Sequence, residues 1–563
     1  MKKIFLVLIL VLAFVLRFFR LDEYPSLNAD EAAIGYNAYS ILHTGRDEHS
    51  NPWPLHFQSF NDYKPGLYFY LVLPFVKIIG LNEWAVRIPG AFLGVAGVYL
   101  IYLLVNEMYN KEKFIDNDKK LGRGLWKFVI DNRLMALVAA FMLAISPWHI
   151  HFSRGGWEVN VATFFMTLGV YLFFKAQKGN SLSYSSLCAM SFVFSLYTYH
   201  AARVVVPLLV LGGAVIYRDF LKKFFKNIAI AGIVGIIALL PLIKDISGSE
   251  ISARAAGVGL FADNGPLARV NEQRGEHANY LGLPAKLMHN KPVNYGLAFL
   301  ENWSEHFHGG FLFTGGDVIQ RNKVPDTGQM YLFDILWLVV GVWWMVKNWY
   351  KRSKLVFWWM IIAPIAAALT FQSPHALRAH NMVIPITIIS AMGLSQTILW
   401  LGKKIKKKYL LATCYLLLAM LTLGQFARYL HMYWVHMAKE YPFSSQYGVK
   451  ELVNYLAGKQ GGQRKIVITD RYDQPYILFL FYLKYPPKDF QEGHFISGRN
   501  LYGFSTVNAF ANFEFKSIDW DSDKIAYPGA LIIGTDEEIP DEANVVKDIY
   551  GINGYKYFQV VEN

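Results

Sequence analysis

Two adjacent carboxylates, Asp30 and Glu31, follow the first long apolar segment of the chain, 4–19, after a short polar stretch. A carboxylate near a bilayer surface can take a proton from a hydroxyl group that attacks a lipid-linked substrate, so the pair predicts a general base. The pair can instead cap a helix, because Asn28 and Asp30 precede a helical pattern that begins at Ala32. The pair alone does not distinguish the two roles.

Cationic residues at the predicted outer ends of other apolar segments are candidates for binding a phosphate group. Lys64 closes the first outer loop just before Pro65, where its alternative role is an interfacial anchor. His375 and Arg378 lie in a short outer turn, where a helix start and an arginine would suit a phosphate. Arg203 lies in another short outer turn, against the usual charge distribution of membrane proteins.

Further polar and aromatic residues at the same predicted rim are candidates for a substrate groove. The stretch 303–317 interleaves glycine, aromatic and polar residues, which suits a loop over a groove or a loop packed on its own aromatic rings. His149 and His151 resemble a metal-binding pair, but no third ligand lies nearby in the sequence, so interfacial histidines are favoured and no metal site is predicted. The groove candidates at this point are Tyr63, Arg154, Tyr199, His308 and Asp317.

The composition is that of a membrane protein. Of the 563 residues, 54% are hydrophobic and only 17% are charged, and the apolar residues form runs long enough to span a bilayer. The net charge of +13 lies largely in short loops between these runs, which is typical of cytoplasmic loops, so no nucleic acid partner is expected. Cys188 and Cys414 both fall within apolar runs, which argues against a disulfide framework and against a cysteine metal site.

The apolar runs and the basic loops together predict a topology. Basic residues place the N-terminus and the loop at 111–133 in the cytoplasm, whereas the loop at 22–62 lies outside. Two apolar runs separate these loops, so we expect the run at 66–81, which contains Pro74, to be interfacial or re-entrant. The apolar runs are 4–19, 66–81, 84–105, 134–148, 161–174, 187–200, 204–217, 228–243, 331–346, 355–371, 382–401 and 409–427.

We therefore expect an α-helical polytopic membrane protein of roughly eleven to thirteen transmembrane helices. Residues 1–436 would form the membrane domain, with large outer loops at 22–83 and 244–330. Residues 437–563 are soluble in composition and combine β-rich runs with helical patterns, which predicts a small extracytoplasmic α/β domain. The expected location is the plasma membrane, with a cytoplasmic N-terminus.

Five short motifs, taken in chain order, resemble the C-type (GT-C) glycosyltransferase superfamily, in particular the branch of protein O-mannosyltransferases and aminoarabinose lipid A transferases. The resemblance covers about residues 1–430, and Gly66 departs from the second proline that the family has at its place. Arg87 joins the groove candidates through this resemblance. The motifs are Asp30-Glu31, Lys64-Pro65-Gly66-Leu67, Arg87-Ile88-Pro89, Phe311-Leu312-Phe313 with Gly316-Asp317, and Ser373-Pro374-His375 with Arg378.

The resemblance implies an enzyme that moves a monosaccharide from a polyprenyl-phosphate donor to an acceptor hydroxyl on the outer face, with inversion. It implies that Asp30 is the general base, that Glu31 positions Asp30 or the acceptor, and that Lys64 binds the donor phosphate. His375 and Arg378 would stabilise the charge that develops on the leaving phosphate. No cofactor is required, although some C-type enzymes use a divalent cation. The sugar is not determined, and the acceptor is a protein, a lipid or a glycan.

A transporter or flippase for a lipid-linked or anionic substrate is the alternative. Transporters place ionisable residues near the middle of the bilayer and often contain internal repeats. Here the candidate charged residues collect at one rim, and no repeat is evident in the sequence. This distribution favours an enzyme that acts at the membrane surface.

Overall fold

The computed structural model of the chain describes residues 2–60, 62–109, 132–179, 181–247, 259–441, 444, 446–457, 464–498 and 505–563. Within these residues the chain is mostly helical, with a short hairpin near the N-terminus and a sheet near the C-terminus. Most of the predicted basic loop at 111–133 lies outside the described residues.

The helices fall into a membrane part and a C-terminal part. Up to residue 246 they are α1 (Lys2–Phe18), α2 (Ala29–Thr44), α3 (Leu67–Ile79), α4 (Glu83–Met108), α5 (Asn132–Ile145), α6 (Pro147–Arg154), α7 (Glu158–Gly179), α8 (Leu182–Thr198), α9 (Ala202–Ile216), α10 (Arg218–Lys223) and α11 (Phe225–Ile246). From residue 265 to residue 440 they are α12 (Gly265–Gly275), α13 (Leu283–Met288), α14 (Lys291–Glu305), α15 (Asp334–Lys347), α16 (Lys351–Ile362), α17 (Ile365–Ala368), α18 (Val383–Lys404), α19 (Lys408–His431) and α20 (Met437–Glu440). The C-terminal helices are α21 (Val449–Ala457), α22 (Pro475–Leu483), α23 (Pro487–Gly493) and α24 (Trp520–Ala526).

Five stretches of helix are long and apolar enough to cross a membrane, counting the described residues only: Glu83–Met108, Glu158–Gly179, Phe225–Ile246, His380–Lys404 and Lys408–Glu440. The pair Arg133–Ile145 and Pro147–Arg154, bent by 56°, would make a sixth. Other apolar helices are shorter, so the expected number of crossings stays a prediction. Helix α3 has 13 residues and would be about 20 Å long, well short of a hydrocarbon core of about 30 Å. This length agrees with the expectation that it does not cross.

Helix α2 carries the acidic pair and begins at a capping box. The Asn28 side chain accepts a hydrogen bond from the Glu31 backbone N–H (3.1 Å), and the Glu31 carboxylate accepts one from the Asn28 backbone N–H (3.3 Å). The helix ends at Gly45, which adopts the left-handed conformation with a φ of 69°. The capping residue is therefore Asn28, and Asp30 lies in the first turn with other partners.

A short hairpin follows α2 and positions the predicted phosphate ligand. Its strands β1 (His56–Ser59) and β2 (Asp62–Pro65) are antiparallel, and Phe57 pairs with Lys64. The Lys64 ammonium group also lies 4.8 Å from the centre of the Phe60 ring. The hairpin thereby holds Lys64 in a fixed register beside α2.

The C-terminal domain is built on a mixed seven-stranded sheet in the described residues, in the order β4-β5-β6-β3-β7-β9-β8. Strand β3 is parallel to β6 and β7, and the other pairs are antiparallel. The predicted α/β composition of this part is confirmed. The strands are β3 (Ile466–Ile468), β4 (His494–Ile496), β5 (Val507–Phe510), β6 (Phe513–Phe515), β7 (Leu531–Gly534), β8 (Val545–Tyr550) and β9 (Lys556–Glu562).

This domain packs directly on helix α2. One hydrophobic core contains α2 and α3 residues together with the apolar helix α22 and the sheet. The contact is close at Gly35, where a Cβ atom would lie 2.6 Å from the Phe481 ring and 2.7 Å from Val86. The Gln446 side chain also accepts a hydrogen bond from the Ala29 backbone N–H (2.6 Å). The helix that carries Asp30 is therefore held from both sides, by the membrane part and by the C-terminal domain.

Candidate active site

Glu31 is a buried structural carboxylate. Arg87 forms a bidentate ion pair with it, since Nε lies 2.7 Å from Oε1 and Nη2 lies 2.7 Å from Oε2. The Gly156 backbone N–H donates a further hydrogen bond to Oε1 (2.8 Å). Because these donors and the capping box occupy both oxygens, the carboxylate fixes the start of α2.

Arg87 and Arg154 together hold the segment that links α1 to α2. Arg87 donates to the carbonyl oxygens of Leu21 (2.8 Å) and Pro25 (2.9 Å). Arg154 donates to backbone carbonyls of the same segment, including that of Tyr24 (3.0 Å), and its Nε donates to a tyrosine hydroxyl. Both guanidinium groups are fully buried. The groove expected at these two residues is therefore replaced by an internal clamp.

Asp30 lies one residue from Glu31 but has a different environment. Its side chain is 28% exposed, and its Oδ1 lies 2.5 Å from the Nζ atom of Lys64, whose side chain is only 9% exposed. On the other side, an Arg321 Nη1 atom lies 3.7 Å from Asp30 Oδ2 and 3.8 Å from the Asp473 carboxylate. The site thus combines two carboxylates, Asp30 and Asp473, with two cations, Lys64 and Arg321.

Arg321 and Asp473 are absent from the sequence predictions. Arg321 is held by its neighbours: its carbonyl oxygen accepts a hydrogen bond from His151 Nε2 (2.8 Å), and the next residue, Asn322, donates to Asp317 (3.1 Å). Asp473 comes from the C-terminal domain, just before α22. Neither residue belongs to a motif, so only the convergence of three distant segments reveals them.

Arg203 lies in a polar chain that reaches the same hairpin. It donates to His56 Nε2 (2.5 Å) and to His200 Nδ1 (3.0 Å). His56 in turn donates from Nδ1 to Asp245 (2.5 Å), and His200 donates from Nε2 to the carbonyl oxygen of Tyr63 (3.1 Å). Since Tyr63 precedes Lys64, the structure brings Arg203, Tyr63 and Lys64 together around one strand.

His375 and Arg378 belong to a second cluster, around Asp317. The buried Asp317 carboxylate accepts from the Ile319 and Ala376 backbone N–H groups (2.8 and 2.5 Å), and His375 Nδ1 lies 3.6 Å from it. Arg378 donates to the Thr370 hydroxyl (2.7 Å). Asp317 therefore joins the turn that contains His375 and Arg378 to the large loop, and its carboxylate is used for these contacts instead of lining a groove. Through Asn322 it also supports Arg321.

The remaining groove candidates occupy different places. Tyr199 follows the end of α8 and is half-buried. His308 is exposed, and its Nδ1 accepts a hydrogen bond from the Gly310 backbone N–H (3.1 Å). Of the predicted residues, Asp30 and Lys64 therefore meet at the start of α2, and Tyr63 precedes Lys64 in the hairpin. His308 lies on the surface of the large loop.

The described residues around Asp30 do not form a site for a divalent cation. Asp30 and Asp473 provide two carboxylates, but the guanidinium of Arg321 lies between them and Lys64 already pairs with Asp30. Over the part of the chain that the structure describes, no cluster of three or more His, Cys, Asp or Glu side chains could hold a metal ion. Lys64 and Arg321 balance the charges of the two carboxylates, so the set has no surplus negative charge with which to hold a divalent cation. The prediction that no metal is required stays a prediction.

A buried carboxylate behind the hairpin gives a pH-dependent prediction. Burial, with a smaller contribution from the neighbouring Asp47, raises the pKa of Glu48 from 4.5 to about 8. The folded protein therefore binds a proton that the unfolded chain releases, so stability falls as the pH rises from about 4.5 to about 8 and levels off above. We expect Glu48→Gln to raise Tm by several degrees at pH 8 and to flatten its pH dependence in thermal unfolding between pH 5 and pH 9.

The matched control is Glu492→Gln, which removes an exposed carboxylate from the C-terminal domain. It should leave the pH profile of Tm unchanged. A Glu48→Gln variant with the same pH slope as the unmodified protein would show that Glu48 is ionised in the folded state.

Similarity to solved structures identifies the fold of the chain. No protein-family model and no curated protein sequence matches the chain. The chain is similar in structure to ArnT from Cupriavidus metallidurans in the apo state (TM-score 0.54, 11% identity, covering 99% of this chain and 97% of that one). It is equally similar to ArnT bound to undecaprenyl phosphate (TM-score 0.53, 11% identity, the same coverage).

The archaeal oligosaccharyltransferase AglB from Archaeoglobus fulgidus, solved in complex with an inhibitory peptide and a dolichol-phosphate, is a second relative by fold. Its TM-score is 0.53 at 12% identity, and the match covers 85% of this chain and 63% of the archaeal chain. This chain therefore spans less than two thirds of the archaeal enzyme. At these identities the likeness concerns the fold alone, and it confirms the expected C-type glycosyltransferase fold.

Proposed function

We propose that the protein is a membrane glycosyltransferase that moves a monosaccharide from a polyprenyl-phosphate donor to an acceptor hydroxyl on the outer face of the membrane. The observation that carries this proposal is the arrangement at the start of α2, where Asp30 lies 2.5 Å from Lys64 and 3.7 Å from Arg321. The shared fold with ArnT, which has been solved with undecaprenyl phosphate, supports a lipid phosphate as the group that the cations meet.

The reaction we infer is a single displacement. The Asp30 carboxylate takes the proton of the acceptor hydroxyl, and the hydroxyl oxygen attacks the anomeric carbon on the face opposite the phosphate. The bond between the anomeric carbon and the phosphate oxygen breaks, and its electron pair leaves with the lipid phosphate. Lys64 neutralises the charge that develops there. The configuration at the anomeric carbon inverts.

Because Lys64 pairs with Asp30, binding of the donor phosphate would also affect the base. While the pair is intact, the ammonium group favours the ionised carboxylate but also weakens it as a base. A bound phosphate would compete for the Lys64 ammonium group and so free the Asp30 oxygen for the acceptor proton. Donor binding would thereby prepare the base, which limits proton abstraction to the loaded enzyme.

Lys64→Ala and Arg321→Ala are expected to weaken the binding of undecaprenyl phosphate, because each removes a cation that lies beside Asp30. Loss of a charge-assisted contact of this kind should raise Kd by roughly tenfold or more. Binding to the purified protein in detergent, measured by thermal shift or by native mass spectrometry, tests both variants. Lys516→Ala, which alters an ion pair in the C-terminal domain, is the control. Unchanged Kd values in both variants would contradict the phosphate assignment.

Transfer from a radiolabelled polyprenyl-phosphate sugar in purified membranes tests the proposed activity itself. A labelled acceptor that forms with the unmodified protein and not with Asp30→Asn would support it. A labelled donor that moves between the two leaflets of reconstituted vesicles without sugar transfer would instead support a flippase. The chemical nature of the labelled product identifies the acceptor as a protein, a lipid or a glycan.

The proposed orientation follows from the distribution of charges in the sequence. The N-terminus would lie in the cytoplasm, whereas the Asp30 site and the C-terminal domain would lie outside the plasma membrane. The presence of several long apolar helices makes the chain a membrane protein. The polyprenyl-linked donor and the acceptor would then meet at the outer surface, where Asp30 is expected.

A further inference from the structure

Helix α14 in the large outer loop has its apolar face turned outward. Val293, Leu297 and Leu300 are spaced as one stripe of a helix. Leu297 is 58% exposed and Leu300 is 56% exposed, which is unusual for a stripe of large apolar side chains. A helix in contact with water would present its polar residues on this face.

The opposite face of α14, which includes the half-buried Ala298 and Phe299, contacts the protein and makes several hydrogen bonds. Asn294 is buried, and Asn302 donates to the carbonyl oxygens of Ala368 (3.3 Å) and Thr370 (3.0 Å). The Tyr295 hydroxyl donates to the carbonyl oxygen of Asp263, just before α12 (3.0 Å). The helix is therefore held by hydrogen bonds on its inner side, so the direction of its apolar stripe is fixed.

The residues that hold α14 in place show which surface its apolar stripe adjoins. Trp303 Nε1 donates to the carbonyl oxygen of Ile361 (2.9 Å), near the end of α16. Ile361 and Leu369, at the end of this apolar run, are themselves exposed. The stripe thus continues the exposed apolar surface at the end of the predicted apolar run 355–371. A tryptophan lies at the junction, as is common at the boundary between lipid and water.

Helix α13 also exposes large apolar side chains. Leu283, Leu287 and Met288 are exposed, and Lys286 lies among them. Exposed leucines with interspersed lysines are typical of helices that lie in the plane of a bilayer surface, where the ammonium groups reach the phosphates of the head groups. Lys291, at the start of α14, adds a second exposed cation.

We propose that α13 and α14 dock on the outer leaflet of the bilayer as an interfacial element, with the stripe Val293, Leu297 and Leu300 inserted at the boundary of the acyl chains. Lys286 and Lys291 lie at the N-terminal end of the element, and Glu301 and Glu305 lie at its C-terminal end, so the exposed apolar stripe, not a net charge, favours lipid. This inference goes beyond glycosyl transfer and does not depend on it. Its consequence for the enzyme is that the chain leaving α14 leads to Arg321, so the docked helices fix the segment that delivers this residue to Asp30.

Spin labels on the full-length protein test the docking. Leu297→Cys and Leu300→Cys are made in a Cys188→Ala, Cys414→Ala background, labelled and reconstituted into vesicles of phosphatidylethanolamine and phosphatidylglycerol. Ile525→Cys, at a residue that is 77% exposed on α24, is the matched control for an apolar side chain in water. Collisions with oxygen, which partitions into lipid, and with a water-soluble nickel chelate are compared.

Labels at residues 297 and 300 should collide several-fold more with oxygen and several-fold less with nickel than the label at residue 525. Equal collision rates at the three sites would overturn the proposal. Protection of residues 297 and 300 from both reagents would also overturn it, because a protein partner or a second copy would then cover the stripe. None of these readouts depends on sugar transfer, so the docking and the proposed activity can fail separately.

Discussion

Asp30→Asn is expected to lower kcat for sugar transfer by about 10²- to 10⁴-fold, the usual contribution of a general base. Asparagine keeps the size of the side chain, but its amide oxygen cannot take a proton from the acceptor. The capping box of α2 uses Asn28 and Glu31 and is unaffected. Lys64 stays in place and is released from its ion pair with Asp30, so binding of polyprenyl phosphate should be retained or strengthened. Initial rates at saturating donor, together with Kd for undecaprenyl phosphate, measure both effects.

The control for this variant is Glu23→Gln. Glu23 lies in the same outer loop, but it is exposed and pairs with Arg20 at the surface. Its replacement should leave kcat within about twofold, since surface ion pairs of this kind contribute little. A kcat for Asp30→Asn close to that of Glu23→Gln would show that another group takes the proton.

Glu31→Gln is expected to act on stability, although Glu31 is the immediate neighbour of Asp30. The substitution leaves the fully buried Arg87 without its counter-charge. Removing one partner of a buried ion pair costs about 3–5 kcal/mol. The start of α2 should loosen, and the apparent Tm of the purified protein should fall by several degrees. Any loss of turnover would then follow from the loss of folded protein.

Glu31→Gln/Arg87→Met separates this structural role from a chemical one. The double variant removes both charges, so no buried guanidinium is left without a counter-charge, although the carbonyl oxygens of Leu21 and Pro25 lose their donor. Its Tm should therefore lie above that of Glu31→Gln. If Glu31→Gln melts like the unmodified protein and yet transfers no sugar, then Glu31 takes part in the chemistry and its assignment as a positioning residue is wrong.

The sequence around Asp30 and Glu31 also distinguishes the roles of the two residues at the start of α2. The spacing Asn28-x-x-Glu31 is that of a capping box, which assigns Glu31 to the helix start and leaves Asp30 for other partners. Lys64 was predicted from its position at the end of the loop, and the structure places it against Asp30. The partners of these residues were predicted less well, since a local pattern does not specify which distant segments it will meet.

Arg321 and Asp473 illustrate that limit. They meet Asp30 only because the large loop and the C-terminal domain fold back on the first outer loop. The interior positions of Arg87 and Arg154 were missed for a related reason. An arginine at the end of an apolar segment is usually interpreted as an interfacial residue. Here both side chains donate hydrogen bonds to carbonyl groups of the segment between α1 and α2. The composition of the C-terminal region, in contrast, was sufficient to predict that it combines strands and helices, although not the order or the direction of its strands.

The packing of Phe481 against Gly35 has a consequence for the biogenesis of the protein. Helix α2 leaves the ribosome early, but the apolar helix that covers it, α22, is made only near the end of synthesis. At about 5–20 residues per second, the ribosome needs roughly 20 to 90 seconds to pass from one to the other. During that interval the apolar side of helix α2 is uncovered. A nascent chain of this kind depends on a chaperone or on the translocation machinery until its last hundred residues arrive.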